Sequence, residues 1–356
     1  MKLNNILVLY AEIMPYNIIC FKSLLSTQAN LKIHVVCWGA DKKLTPYQVP
    51  EIPRVSYYLK NDFNAEKIRQ LINELEPSCL YVAGRMEKDY LKACKHARGK
   101  KILVIGTSDG QYKGGIKQLI QKLFSFYLFK RYFNYLMVPG IYQYEYARFL
   151  GFSREQILFP QYCADVSLFN NYYHNRPDSK LPKKNILFVG RLNKIKGINF
   201  LIEAFLELVE NEKFDLNLVL VGNGAEKKNI PVHPRIIQHD FLDQVSIIGL
   251  LNEVRFFCLP SIKEPWGVVL HEFTAAGMPI VTTDVCGAAT AFVKHYYNGL
   301  IIKPAEKNSL KNAMQFMASL NEEKLEEMET RSYELSKQIT PAMWSGTILS
   351  VISKQI

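Results

Sequence analysis

The sequence predicts an α/β protein of two parallel-sheet domains, and three observations carry that expectation. The 356-residue chain is longer than one hydrophobic core usually organises. Short apolar runs rich in β-branched residues alternate with longer helical patterns, as buried parallel strands and crossover helices do. The alternation breaks at a polar stretch and restarts after residue 184.

The first run, in MKLNNILVLYAEIMP, follows a single Lys, ends at Glu12 and lacks a small-residue cleavage site, so it reads as a strand and not a signal peptide. KIHVVCW, CLYVAG, KILVIG and YLMVPG continue the first Rossmann-like domain, assigned to residues 1–169. Residues 170–184, NNYYHNRPDSKLPKK, are polar, carry two prolines and have no hydrophobic periodicity, which marks the expected linker. The second domain, 185–339, is carried by NILFVG, LNLVLVG, RFFCLPS and PIVTTD, separated by helical segments such as Ile198 to Asn211. Pro341 punctuates a helical tail, and residues 340–356 are expected to cross back to the first domain as a helix.

Composition narrows the classes. At 48% hydrophobic and 22% charged residues the chain is neither disordered nor collagen-like, and no repeat suggests a solenoid. A net charge of +11 favours anionic partners. No Lys/Arg block, zinc knuckle or RNA-binding aromatic motif accompanies it, so nucleic acid is not expected. Seven scattered cysteines without a C-x-x-C pair read as reduced, cytosolic thiols. No apolar run approaches the roughly 20 residues of a membrane-spanning helix, so any membrane contact should be peripheral, on the inner face of the plasma membrane.

The richest segment is ILFVGRLNKIKGINFLIEAF. It puts Gly190 at a strand end, Arg191 directly after it, and Lys196 at the mouth of an amphipathic helix. Two cations and a helix N-terminus converging on one point suit a diphosphate, although a lone Arg/Lys pair is more often a solvated surface pair. Downstream, LPSIKEPWGVVLHEFTAAGMP sets Glu264 in a loop, Gly267 at a helix start and Glu272 about one and a half turns inside that helix. The carboxylates would accept hydrogen bonds from vicinal hydroxyls, one from a hexose and one from a ribose, while amides around Trp266, Gly267, Val268 and Val269 face phosphate or sugar oxygens. Taken singly, Glu264 reads as a turn residue and Glu272 as a solvated helix residue. Gly222 and Gly224, in VGNG, read equally as a β-turn and as a nucleotide-lining loop.

Together these segments resemble a family 4 glycosyltransferase of the GT-B fold, through G-R-L-x-x-x-K-G at Gly190 to Gly197 and E-x7-E at Glu264 and Glu272. LPS, the Gly277-Met278-Pro279 triplet and VGNG fall in the family's order across the C-terminal half. The resemblance implies that Arg191 and Lys196 hold the donor diphosphate, Glu264 the transferred sugar and Glu272 the nucleotide ribose. It also implies retention of anomeric configuration. No D-x-D and no His, Cys or carboxylate cluster is present, so no metal or other cofactor is expected, and the cations and helix termini would neutralise the leaving nucleoside diphosphate.

The first half resembles the acceptor domain of some of these enzymes, through YVAGRMEKDYLKAC, ILVIGTSDGQYKGG and PQYCADVSLF. It departs from the wider family at YAEIMPYN, where a glycine-rich loop is common, and at Asp109, where a histidine often sits. Asp109 reads equally as an Asp-Gly turn and as a carboxylate at a strand's carboxyl end, placed for acceptor or donor sugar. Residues 116–137 read as one amphipathic helix with Lys117, Lys122, Lys130 and Arg131 among its polar positions. The preferred reading is a core-facing crossover helix with solvated cations, and the other is a shallow contact with an anionic membrane surface.

The expected protein is therefore a metal-independent transferase that moves sugar from a UDP-, GDP- or ADP-linked donor to a glycan or polyprenyl-diphosphate-linked acceptor, in surface polysaccharide assembly of the O-antigen or capsule kind. The alternatives are a sugar-nucleotide epimerase or hydrolase, and a non-catalytic nucleotide-binding scaffold.

Overall fold

The computed structural model describes residues 4–39, 47–176, 183–211 and 214–354. The chain divides into two compact units, Met1–Cys163 with Thr340–Ile356, and Ala164–Ile339.

The first unit runs β1 (Asn5–Leu9), α1 (Pro15–Thr27), β2 (Lys32–Cys37), β3 (Val55–Leu59), α2 (Ala65–Leu75), β4 (Cys79–Val82), α3 (Lys88–Gly99), β5 (Leu103–Thr107), α4 (Ile116–Leu123), β6 (Tyr135–Met137), α5 (Ile141–Phe149) and β7 (Ile157–Leu158). Its strands form one parallel sheet in the order β3-β2-β1-β4-β5-β6-β7. Every residue of β4 and β5 is buried, because helices cover both faces of a parallel sheet, and this is why these strands read as unbroken apolar runs. After β1, α1 opens on Pro15, and the Asn17 side chain accepts a hydrogen bond from the Met14 amide at 3.0 Å.

The second unit runs α6 (Val166–Asn175), β8 (Asn185–Val189), α7 (Ile198–Asn211), β9 (Asn217–Val221), β10 (Ile236–His239), α8 (Gln244–Leu250), β11 (Val254–Leu259), α9 (Val268–Ala275), β12 (Ile280–Thr283), α10 (Ala289–Phe292), β13 (Gly299–Ile302), α11 (Lys307–Ser319) and α12 (Glu322–Ser336). Its sheet is also parallel, in the order β10-β9-β8-β11-β12-β13. A final helix, α13 (Pro341–Ser353), belongs to the first unit: Ser345 Oγ lies 3.0 Å from Ser23 Oγ of α1, and Trp344 packs edge-on to Tyr81.

The chain changes unit at Ala164, earlier than the expected linker at 170–184. Residues 166–175 are helical, and buried Phe169 packs against Phe273 of α9 at 6.3 Å. The ends of the expected linker are also anchored, since Arg176 and Lys183 both pair with the fully buried carboxylate of Glu329 on α12. Residues 177–182 lie outside the described residues.

A second correction concerns 116–137. The helix stops at Leu123, a short wider helical turn spans Phe126–Lys130, and Tyr135–Met137 is strand. No residue of α4 is buried, so it is not the core-facing helix that its periodicity suggested. All seven cysteines are buried thiols, and none is in a disulfide. Among the described residues no helix is long and apolar enough to cross a membrane.

Candidate functional site

In the second sheet the strand order reverses between β8 and β11, and open α/β sheets bind ligands at the carboxyl ends of strands beside such a point. The loop after β8 carries Gly190 and Arg191, then a single tight turn over Lys194–Lys196, whose last amide is capped by the Asn193 side chain at 3.2 Å. Gly197 follows in the left-handed region at φ 74°, and α7 begins at Ile198. Arg191 is exposed, and among the described residues it makes no ion pair. Lys196 is turned inward, with its side chain 17% exposed.

The loop after β11 carries Glu264, buried to 8%. Its carboxylate pairs with the Lys196 ammonium and accepts from Ser261 Oγ at 3.3 Å. The loops on either side of the reversal are thus joined by one buried ion pair.

Gly267 then caps α9 at φ 93°, where a Cβ would sit 3.1 Å from Glu264 Cγ and 3.0 Å from Cys286 Sγ, so only glycine leaves the carboxylate its place. Val268 and Val269 open α9, and their amides have no intrahelical acceptor. The Trp266 ring is not part of an open site: it is 3% exposed and packs edge-on to Phe292. Its carbonyl accepts from the Ala288 amide at 2.9 Å and from Cys286 Sγ at 3.0 Å, so neither the ring nor the carbonyl is open to a ligand.

Glu272 lies on α9 and accepts a hydrogen bond from Gln244 Nε2 of α8 at 2.7 Å. Burial pushes its carboxyl up to about 7; the Gln244 donation opposes the rise and Asp165 adds to it. Gln244 was not legible in the sequence as a site residue, because nothing but the fold brings it beside Glu272. The adjacent His271 is fully buried: Nδ1 accepts from the Ala164 amide at 3.1 Å and Nε2 donates to the Ser336 carbonyl at 3.0 Å. Burial lowers its pKa to about 4, so the ring is neutral and ties the start of the unit and the end of α12 to the helix that bears Glu272.

Gly222 and Gly224 are neighbours of the site for a packing reason. A Cβ on Gly222 would stand 2.1 Å from the Gly190 carbonyl oxygen, and one on Gly224 would stand 2.2 Å from that of Leu192. The VGNG loop therefore lies against the loop that carries Arg191. Among the described residues no three His, Cys, Asp or Glu side chains gather as a metal site.

In the first unit Asp109 follows β5 and is exposed. Gly110 after it does not take the left-handed conformation of an Asp-Gly hairpin turn. Asp109 instead neighbours a tyrosine cluster that sequence reasoning missed. Burial pushes the Tyr10 hydroxyl up to about 12, with Asn17, Tyr162 and Gln161 hydrogen-bonding to it and Asp109 adding to the rise. Tyr16 packs edge-on to Tyr162 at 5.0 Å, and both hydroxyls are raised first by burial.

Comparison with known proteins places this geometry. Residues 171–335 match the family model of glycosyl transferases group 1. The matched segment lies within the second unit. An uncharacterized glycosyltransferase of Methanocaldococcus jannaschii is 31% identical over 135 residues, 36% of this chain and 34% of its own length. The Escherichia coli O-antigen biosynthesis glycosyltransferase WclY is 26% identical over 183 residues, 48% of this chain and 49% of its own. The chain thus spans about half, at most, of the length of the curated relatives it matches. Among solved structures, Anabaena HepE in complex with UDP-glucose superposes with a TM-score of 0.74 at 16% identity, covering 98% of this chain and 99% of that one. A Rickettsia africae glycosyltransferase gives 0.74 at 14% identity, with 99% of each chain covered. Both units therefore share the two-domain Rossmann-like fold of these solved structures, and the segment matched by the group 1 model is the half that holds Arg191, Lys196, Glu264 and Glu272.

Proposed function

We propose that the protein transfers a sugar from a nucleotide-sugar donor to a glycan or polyprenyl-diphosphate-linked acceptor, of the kind used in O-antigen or capsule assembly, with retention of configuration and without a resident metal. The observation that carries this reading is the pairing of Lys196 with Glu264 across the point where the strand order reverses, beside the start of α9. In this reading Arg191 and Lys196, with the amides of Val268 and Val269, take the diphosphate charge as the glycosidic bond breaks. Glu264 accepts from hydroxyls of the transferred sugar, and Glu272 accepts from the ribose. The proton of the attacking acceptor hydroxyl passes to a donor phosphate oxygen on the leaving-group face. Asp109, at the carboxyl end of β5, orients the acceptor.

The glycosyltransferase names among the relatives and the UDP-glucose complex of HepE make UDP-linked sugars the first donors to try. Calorimetric titration with UDP, GDP and ADP and their sugar conjugates, with no divalent cation added, tests the site. One nucleotide should bind selectively, and Lys196→Ala and Glu272→Ala should each weaken it. Binding indifferent to both substitutions would remove the basis of the reading.

A further inference from the structure

We propose that residues 112–131 of the first unit form a docking surface for an anionic lipid bilayer. A crossover helix in a parallel sheet ordinarily buries its apolar face, and α4 does not. Ile116 and Leu123 are each 78% exposed, and Leu119 and Ile120, on the same face by the helical repeat, are 52% and 51% exposed. Phe126 at 62% and Tyr127 at 61% extend the apolar surface beyond the helix end. Of the large hydrophobic side chains exposed in the described chain, eight of twenty-one fall between residues 112 and 127, so this is a patch and not scattered exposure.

Charge identifies the occupant. Between Asp109 and Glu145 the chain has no acidic residue, while Lys113, Lys117, Lys122, Lys130 and Arg131 all lie in that interval. Lys122 is held over the Phe149 ring at 4.7 Å and Arg131 over Tyr132 at 4.7 Å, which fixes cations at the margin of the apolar face. Aliphatic and aromatic side chains rimmed by cations suit the boundary of an anionic membrane. A second copy of the same face would set like charges against each other, because a two-fold contact pairs a patch with itself. The segment begins at the carboxyl edge of the sheet, where Asp109 also lies, so docking would bring that edge to the headgroups. The docking does not rest on the proposed transfer reaction.

Co-sedimentation of the full chain with phosphatidylcholine vesicles, with and without phosphatidylglycerol, tests the proposal. The protein should bind the anionic vesicles, and added salt should weaken that binding. Lys113→Gln/Lys117→Gln/Lys122→Gln should lose about fivefold in partition for each charge removed. Leu123→Glu/Phe126→Glu should abolish partition while keeping the thermal transition of the parent, since both side chains are exposed. Nucleotide binding measured on the same variants separates this result from the donor-site reading. No sedimentation of the parent protein, equal binding to neutral vesicles, or a dimer in light scattering that Leu123→Glu/Phe126→Glu converts to monomer would overturn it.

Discussion

The Lys196 ammonium pairs with the Glu264 carboxylate across the reversal in strand order, and both side chains are largely withdrawn from solvent. Two groups proposed to bind different parts of a donor therefore neutralise each other when the site holds none. A diphosphate arriving at Lys196 and hydroxyls arriving at Glu264 would exchange one ion pair for two sets of contacts, so neither charge is left buried alone at any stage.

This arrangement makes the two residues energetically coupled. Lys196→Ala takes the ammonium away from a buried carboxylate, which should cost on the order of 2 kcal/mol of stability. Glu264→Gln alone leaves the ammonium unpaired. The double variant removes both charges and should be less destabilised than the sum of the singles by about 1 kcal/mol or more. Urea unfolding of the four proteins measures the coupling, and additivity within about 0.5 kcal/mol would show that the pair does not act as a unit.

The glycines near the site make a contrasting pair of expectations. Gly222→Ala drives a methyl to 2.1 Å from a backbone oxygen, where no side chain can yield, and should cost about 1–3 kcal/mol and displace the Arg191 loop. Gly249 lies in α8 with nothing within 4 Å of its Cβ position, so Gly249→Ala should stabilise by up to about 1 kcal/mol. Thermal melting of both variants checks the signs, and equal effects would mean that the close approach of the two loops is not what requires glycine at 222.

How far the sequence reached follows from how local each signal is. Interior strands such as NILVLY and CLYVAG were legible because burial on both faces leaves a continuous apolar run. The edge strand VSYYL, with Ser56 and Leu59 exposed, lacks that run; β7 has two residues, and IIQH and GLII are too short or too mixed to stand out. Arg191, Lys196 and Glu264 were legible because each lies in a loop directly after a strand. The pairings of Lys196 with Glu264, 68 residues apart, and of Gln244 with Glu272, 28 apart, exist only once the sheet is assembled. Periodicity showed that α4 has an apolar face, but it carries no information about whether another element covers that face.

The raised Glu272 carboxyl links nucleotide affinity to pH. A ribose hydroxyl donates better to a carboxylate than to a protonated acid, so affinity should rise as pH passes upward through about 7. The Gln244 hydrogen bond favours the ionised form, so Gln244→Ala should move the midpoint higher, and Glu272→Gln should flatten the dependence. Calorimetry between pH 6 and pH 8.5 gives the profile, and a flat parent profile would detach Glu272 from the nucleotide.

His271 sets the opposite limb, that of stability in acid. Its imidazole takes a proton near 6.5 when unfolded and only near 4 when folded, because protonation would bury a charge and break the bond that Nδ1 accepts from Ala164. Between those values the unfolded chain binds more protons, so stability must rise with pH across that window. The contribution of the neutral ring is complete above 6.5, shrinks as the pH falls, and is gone below about 4, a loss on the order of 3 kcal/mol. His271→Gln removes this titration, and urea unfolding at intervals from pH 4 to pH 7 should show a shallower slope for the variant than for the parent. Parallel slopes would assign the acid sensitivity to other groups and leave His271 a packing residue alone.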